Sequence, residues 1–327
     1  MVIRLNFKGE NLKMKKIIKK LLALSLLIVI FAISICSIGI ASTKNFTIGI
    51  IPKALISPFF ITLVDAAKEK GAAEGFDVIV VSPTSETAIA EQVNIIEDFI
   101  EKKVDLLALG VNDVRAVVPV LKKAMEAGIP VVIFDTQTPL PDLEVTSLIG
   151  SDNVEGGRIV GRYAVKLLNG KGNVAIIEGF PGQDCNVDRL QGFHEIVDKY
   201  PEIKVVASQP ANWERALGMS VMENILEANP TLDLIFALCD DMALGALKSI
   251  EASGRKIPVL SIDGNEEAFL AVRDGRLQST IAQFPDMMGE MIITKVADAL
   301  IKGETIPLKL PSPIINVTKE NVADFLK

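Results

Sequence analysis

The chain contains a long internal repeat. Residues 104–135, VDLLALGVNDVRAVVPVLKKAMEAGIPVVIFD, lie beside residues 232–263, LDLIFALCDDMALGALKSIEASGRKIPVLSID, at an offset of 128 residues with no gap. Eight of the 32 positions are identical. Asp105 falls on Asp233, Leu106 on Leu234, Asp113 on Asp241 and Ala124 on Ala252. The run Ile129, Pro130, Val131 falls on Ile257, Pro258, Val259, and Asp135 falls on Asp263. A period this long implies two similar domains rather than a solenoid. Each copy reads as an apolar strand, a helix and a second apolar strand ending on an aspartate. Ligands of open parallel sheets sit beyond the carboxyl ends of the strands, so Asp135 and Asp263 are expected to face one shared cleft.

The flanking sequence extends the same pattern. Short β-rich runs alternate with helical ones, the signature of a parallel sheet with crossover helices. The expected strands are residues 46–51, 76–82, 145–150, 173–178, 204–208, 277–283 and 314–317. The expected helices are 58–75, 86–103, one capped by Asp152, 183–199, 212–228 and 286–302. Gly156, Gly157 and Gly161 allow the Asp152 helix a close neighbour. The fold class is therefore α/β, with two similar doubly wound parallel-sheet lobes joined by a three-crossing hinge. No linker is long, so the crossings are placed near Gly150–Ser151, Gln283–Phe284 and Leu310–Pro313. The lobes become 44–150 with 284–311, and 151–283 with 312–327.

Residues 1–41 are of a different character. Met14–Lys20, MKKIIKK, is basic, and residues 21–40 are an uncharged apolar run followed by a small-residue site at Gly39-Ile40-Ala41. This is the order of a secretory signal, with Met14 able to begin a complete one. Twenty apolar residues also suffice for an uncleaved anchor, and Cys36 invites a lipid anchor although Ile35 precedes it. All three readings place the body outside the cytoplasmic membrane, by cleavage or by tethering.

Charge excludes some functions. The whole chain is at −7, but residues 1–41 carry seven positive side chains and one negative, leaving the remainder at −13. An acidic body without a basic run is a poor partner for nucleic acid. Of the three cysteines, Cys185 and Cys239 belong to the body and form no disulfide framework.

Several motifs, taken in order, resemble periplasmic sugar-binding proteins, closest to the ribose-binding branch. They are ISPFF (56–60), SDNVEGG (151–157), SQPANWER (208–215), CDDMALGAL (239–247), IDG (262–264) and TIAQFPD (280–286). The resemblance covers roughly Thr47 to Val317. It implies two lobes closing over one monosaccharide or polyol, which passes to an ABC transporter permease and in some cases to a chemoreceptor, from a monomeric protein that needs no cofactor or metal. Residue by residue, it puts Phe59, Phe60 and Trp213 on the sugar faces and makes Asp135, Arg189, Asp263 and Gln283 polar contacts. Ser57, Thr136 and Cys239 depart from the ribose pattern, which has asparagine, arginine and asparagine there. Fewer donors leave the ligand open among ribose, another pentose, a hexose, a deoxysugar and a polyol.

The chemistry suits these residue types. Carboxylates accept charge-assisted hydrogen bonds from hydroxyls, and a planar guanidinium donates several at once. Plainer roles stand beside these: a helix cap for Asp263, a surface ion pair for Arg189, hinge bonding for Gln283, core packing for Trp213, and local backbone bonding for Ser57 and Thr136. His194 is expected to face solvent, and Asp240 and Asp241 to begin a helix, where negative charge is favoured. An extracytoplasmic enzyme acting on a small carbohydrate is the competing class. Against it, the chain has no GxSxG elbow, no HExxH helix and no P-loop. A regulator of the same fold would need a basic helix-turn-helix where this chain has its apolar segment.

Overall fold

The structure, a computed structural model, describes residues 45–326. The expected N-terminal signal or anchor, with Cys36, lies outside the described residues. Two six-stranded sheets organise the rest. In the first, β1 (Thr47–Ile51), β2 (Asp77–Val80), β3 (Leu106–Leu109), β4 (Val131–Phe134) and β5 (Ser147–Gly150) are joined by β11 (Lys309–Pro311) in the order β11-β5-β4-β3-β1-β2, all parallel. The second contains β6 (Lys171–Glu178), β7 (Glu202–Pro210), β8 (Leu234–Ala237), β9 (Val259–Asp263), β10 (Ser279–Ala282) and β12 (Ile315–Thr318). Its order is β12-β10-β9-β8-β6-β7, and only β12 runs antiparallel. β3, β4, β8 and β9 are buried throughout, as strands covered on both faces must be.

The repeat aspartates act alike in the two sheets. Asp105 accepts from the Thr47 amide at 2.8 Å, and its repeat partner Asp233 accepts from the Asn173 amide at 2.7 Å. Each ties the start of its repeat to the first strand of its own lobe.

The helices are α1 (Pro58–Glu74), α2 (Ile89–Lys102), α3 (Val114–Glu126), α4 (Asn153–Leu168), α5 (Asp184–Val197), α6 (Arg215–Ala228), α7 (Asp240–Ala252), α8 (Glu266–Arg273) and α9 (Pro285–Met291). α9 continues through a π-helical stretch, Ile292–Ala297, into α10 (Asp298–Lys302). Among the described residues no helix is long and apolar enough to cross a membrane.

Asp152 caps α4 through the Glu155 amide, as its sequence context predicts. The glycines of α4 then fit it against α5. A Cβ at Gly157 would lie 2.2 Å from the Arg189 carbonyl oxygen, and one at Gly192 would lie 1.9 Å from that of Val154. This close approach fixes the part of α5 that carries Arg189.

The chain passes between the sheets three times, after β5, after β10 and after β11. The crossings are bonded to one another. Ser312 donates its amide to the Gly150 carbonyl at 2.9 Å and its hydroxyl to the Gln283 carbonyl at 2.7 Å. These bonds hold the three crossings side by side.

Two expected helix starts are corrected. The helix placed at 86–103 begins at Ile89, because Glu91 reaches back to accept from the amide and hydroxyl of Thr84. That contact folds residues 84–88 into a loop and leaves Glu86 on it. The helix placed at 212–228 begins at Arg215, since Asn212 and Trp213 adopt φ of 52° and 67°. Such left-handed backbone is incompatible with a right-handed helix, and it turns the indole away from the helix path.

Candidate functional site

The carboxyl ends of the two sheets face each other across a small cavity of about 40 Å³. From the first lobe it is lined by Lys53, Ser57, Phe59, Phe60, Glu86 and Asp135. The second lobe contributes Cys185, Arg189, Trp213, Cys239 and Asp263.

Strand ends and helix starts hold these side chains. Ser57 precedes α1, whose first turn opens with Pro58 and then Phe59 and Phe60. The two rings stand edge to face, with centroids 5.2 Å apart and planes at 87°. Both are buried at 4% exposure and belong to the first lobe's core while also lining the cavity. Asp135 follows β4 with φ of 71°, and Asp263 ends β9 with φ of 141°. Left-handed backbone at a non-glycine residue stores strain and is concentrated at functional positions; here it recurs at both repeat-related aspartates.

Arg189 anchors the second lobe. Its Nε donates to Asn153 Oδ1 at 2.9 Å, its Nη1 to the Leu238 carbonyl at 2.6 Å and its Nη2 to Gln283 Oε1 at 2.8 Å. Asp263 Oδ1 lies 3.5 Å from the same Nη1, and the guanidinium sits 5.6 Å from the centre of the Trp213 ring. Trp213 donates its indole N–H to Gln183 Oε1 at 2.7 Å. A Cβ at Gly179 would lie 2.0 Å from that ring, so only glycine leaves room for it. Asp263 also accepts from the Asp240 amide at 3.2 Å. Burial raises its pKa well above the usual carboxylate range, against the pull of Arg189.

Lys53, which follows β1, was not among the residues expected to line the site. Its Nζ lies 2.6 Å from Asp135 Oδ2 and 3.4 Å from Cys185 Sγ in the other lobe. Burial opposes its charge, but Asp135, Cys185 and Glu86 together raise its pKa above the ordinary lysine value. The rule that locates Asp135 and Asp263, a polar residue just beyond an apolar strand, would also have located Lys53. Glu86 carried no such signal, because an acidic residue in a predicted first turn is unremarkable. In the structure Glu86 is 9% exposed, accepts from Gln183 Nε2 at 3.3 Å, and is pushed up to about 7 by burial despite the Lys53 charge.

The other expected site residues divide. Cys239 lines the cavity, and its sulfur caps α7 by accepting from the Met242 amide at 3.5 Å. Burial pushes its thiol well up, as burial also raises that of Cys185; both are free, and neither resembles a reactive thiolate. Gln283 is buried but behind the wall, holding Arg189 rather than lining the cavity. Thr136 faces an adjoining groove, and its hydroxyl accepts from the Thr138 amide at 3.1 Å, the local bonding its type favours. His194 pairs with Asp198 at 3.0 Å on the outside of α5. Asp240 does more than begin α7, because it is fully buried and accepts from Ser261, Thr280, Gly264 and Asn265. No group of three or more potential metal ligands occurs among the described residues.

Comparison with known proteins places this geometry. The periplasmic binding protein domain model matches residues 48–305. The ribose import binding protein of Bacillus subtilis strain 168 is 33% identical over 310 residues, covering 92% of this chain and 98% of its own. The D-ribose/D-allose-binding protein of Pseudomonas aeruginosa is 34% identical over 266 residues, covering 79% of this chain and 83% of its own. A crystal structure of an ABC transporter periplasmic solute binding protein from Actinobacillus succinogenes with bound D-allose superposes with a TM-score of 0.81. It is 34% identical and covers 86% of this chain and 100% of its own. With this fold and this match along most of its length, the chain belongs to the periplasmic binding protein family.

Proposed function

We propose that this protein is the extracytoplasmic solute-binding component of an ABC importer, and that its ligand is a monosaccharide or a related polyol. The observation that carries the reading is the cavity itself. Two aromatic rings on one lobe and one on the other flank a set of buried carboxylates and cations, with Ser57, Phe59, Phe60, Asp135, Arg189, Trp213, Cys239 and Asp263 on its wall. Rings cover the C–H faces of a sugar, while carboxylates and cations read its hydroxyls. The relatives' own ligands, ribose, allose and arabinose, belong to the same chemical class. In this reading Gln283 is a positioning residue behind Arg189, and Thr136 takes part through its loop rather than by ligand contact.

The lobes, taken as 44–150 with 284–311 and 151–283 with 312–327, rotate about the three crossings. Contacts between lobes support a closed arrangement: Lys53 with Cys185, Gln183 with Glu86, and Thr138 with Asp188 at 3.2 Å. A ligand bridging both walls shifts the population toward that arrangement, and the closed pair of lobe surfaces is what a permease, or a chemoreceptor, reads. The protein acts as a monomer outside the cytoplasmic membrane. In this reading it is a binder rather than an enzyme, which the binding-protein family it belongs to and its import-binding relatives support.

Thermal melting of the purified protein against pentoses, hexoses, deoxysugars and polyols tests this. A ligand at about 1,000 times its Kd adds about 4 kcal/mol, enough to move the midpoint by several degrees. One stereoisomer standing well above the rest is the expected result. A flat panel would overturn the reading.

A further inference from the structure

Of the three carboxylates on the cavity wall, Glu86 has the fewest partners: one bond from the Gln183 side-chain amide at 3.3 Å and no cation in direct contact. The charged and titratable groups facing it are already engaged. Lys53, from the loop after β1, is bonded to Asp135 at the end of β4. Arg189, from α5, donates to Leu238, Asn153 and Gln283. Cys185, one turn before it, lies against Lys53. What remains for Glu86 is one long bond from Gln183, whose own oxygen is taken by Trp213. A buried carboxylate in that position retains free lone pairs pointing at whatever fills the cavity.

Counting donors and acceptors gives the direction. The cavity offers three carboxylates, while most donors of Arg189 and Lys53 are used by the protein itself. Such a wall favours a ligand that donates. Each sugar hydroxyl can do so, and a carboxylate accepts from it strongly only when ionised.

We propose that Glu86 is a specificity-determining ligand contact: its carboxylate accepts a hydrogen bond from one hydroxyl of the bound sugar, and binding is accompanied by release of a proton. This rests on the sugar-binding reading and adds to it a contact and a pH dependence. With the lobes in this closed arrangement burial holds Glu86 near neutrality, with its pKa at about 7, so the acid and the carboxylate coexist there. A donating hydroxyl stabilises the carboxylate alone. The proton leaves to buffer, and no covalent bond in the sugar changes.

The test is calorimetric titration of the protein with whichever sugar gives the largest melting shift, from pH 6 to pH 8, in two buffers of different ionisation enthalpy. Kd is expected to fall about tenfold across that range, with proton release near pH 7. In Glu86→Gln the same sugar should bind more weakly and with a flat pH profile. As a second arm on the unaltered protein, analogues lacking one hydroxyl at a time should include one that binds weakly and without proton release. A flat wild-type profile, a slope that persists in Glu86→Gln, or deoxy analogues that all keep the slope would each overturn the proposal while leaving sugar binding intact. A panel in which nothing binds at any pH would overturn both.

Discussion

The two repeat copies share a backbone but hold their aspartates in different ways. In the first, Asp135 is held by a direct ion pair with Lys53, a residue from outside the repeat. Position 112 of that copy is asparagine, whose amide supports Lys53 by donating to its carbonyl at 3.0 Å. In the second copy the equivalent position is Asp240, fully buried and accepting from two hydroxyls and two amides. Asp263 then leans on the Asp240 amide and on a more distant Arg189. Helix capping differs as well. Asp113 caps α3 through the Ala116 amide, whereas the cap of α7 moves two residues earlier to Cys239, and Asp241 instead pairs with Arg215 at 2.7 Å. Duplication therefore preserved where the carboxylates stand, while each lobe acquired its own means of keeping them there.

Breaking the ion pair of the first lobe should have the largest effect. Lys53→Met leaves Asp135 buried without its cation, and removing one partner of a buried pair costs about 3–5 kcal/mol. Urea unfolding should show that loss, and the double variant Lys53→Met/Asp135→Asn should recover much of it. Equal losses in the single and double variants would mean that Lys53 acts by packing alone.

Giving the second lobe the residue of the first comes next. Asp240→Asn keeps the size but turns an NH2 toward hydroxyls and amides that now donate to a carboxylate. Unsatisfied buried polar groups cost about 1–3 kcal/mol each, so a loss of about 2–4 kcal/mol is expected by denaturant titration, against less than about 1 kcal/mol for a surface exchange such as Lys123→Ala.

A smaller effect should appear as a pH response. Glu86 is raised from 4.5 to about 7 in the folded protein, chiefly by burial. The folded state thus holds a proton that the unfolded state has released, and stability falls as pH rises through that window. Relative to Glu86→Gln, the wild type should lose on the order of 2 kcal/mol between pH 4.5 and pH 7, measured by urea midpoints. A constant difference would contradict the placement of Glu86 in a dry site. Smallest of all are the caps. Asp113→Ala should cost about 1 kcal/mol, while Cys239→Ser, which installs a better capping oxygen, should cost nothing or stabilise slightly.

The features legible in the sequence were those set by backbone periodicity. The apolar runs ending on Asp135 and Asp263 announce strands and a cleft, and the spacing of Gly157 and Gly161 announces a tightly packed helix pair. Residues placed by loop geometry were harder to read. Glu86 looks like part of a helix until Glu91 is seen bonding back to Thr84, a contact without a periodic signature. Trp213 looks like a helix start because its left-handed backbone leaves no trace in a sequence without glycine there. Gln283 and Asp240 show a further limit: their residue types fit ligand contact and helix initiation, but nothing in the sequence announces that they also hold Arg189 and the turn after β9.

Closure of the two lobes over ligand is the central claim, and small-angle scattering measures it most directly. With the sugar selected by melting present at saturation, the radius of gyration should fall and the profile should match the arrangement in which Lys53 meets Cys185 and Gln183 meets Glu86. Identical profiles with and without a sugar that binds tightly would contradict closure as the signal the protein delivers.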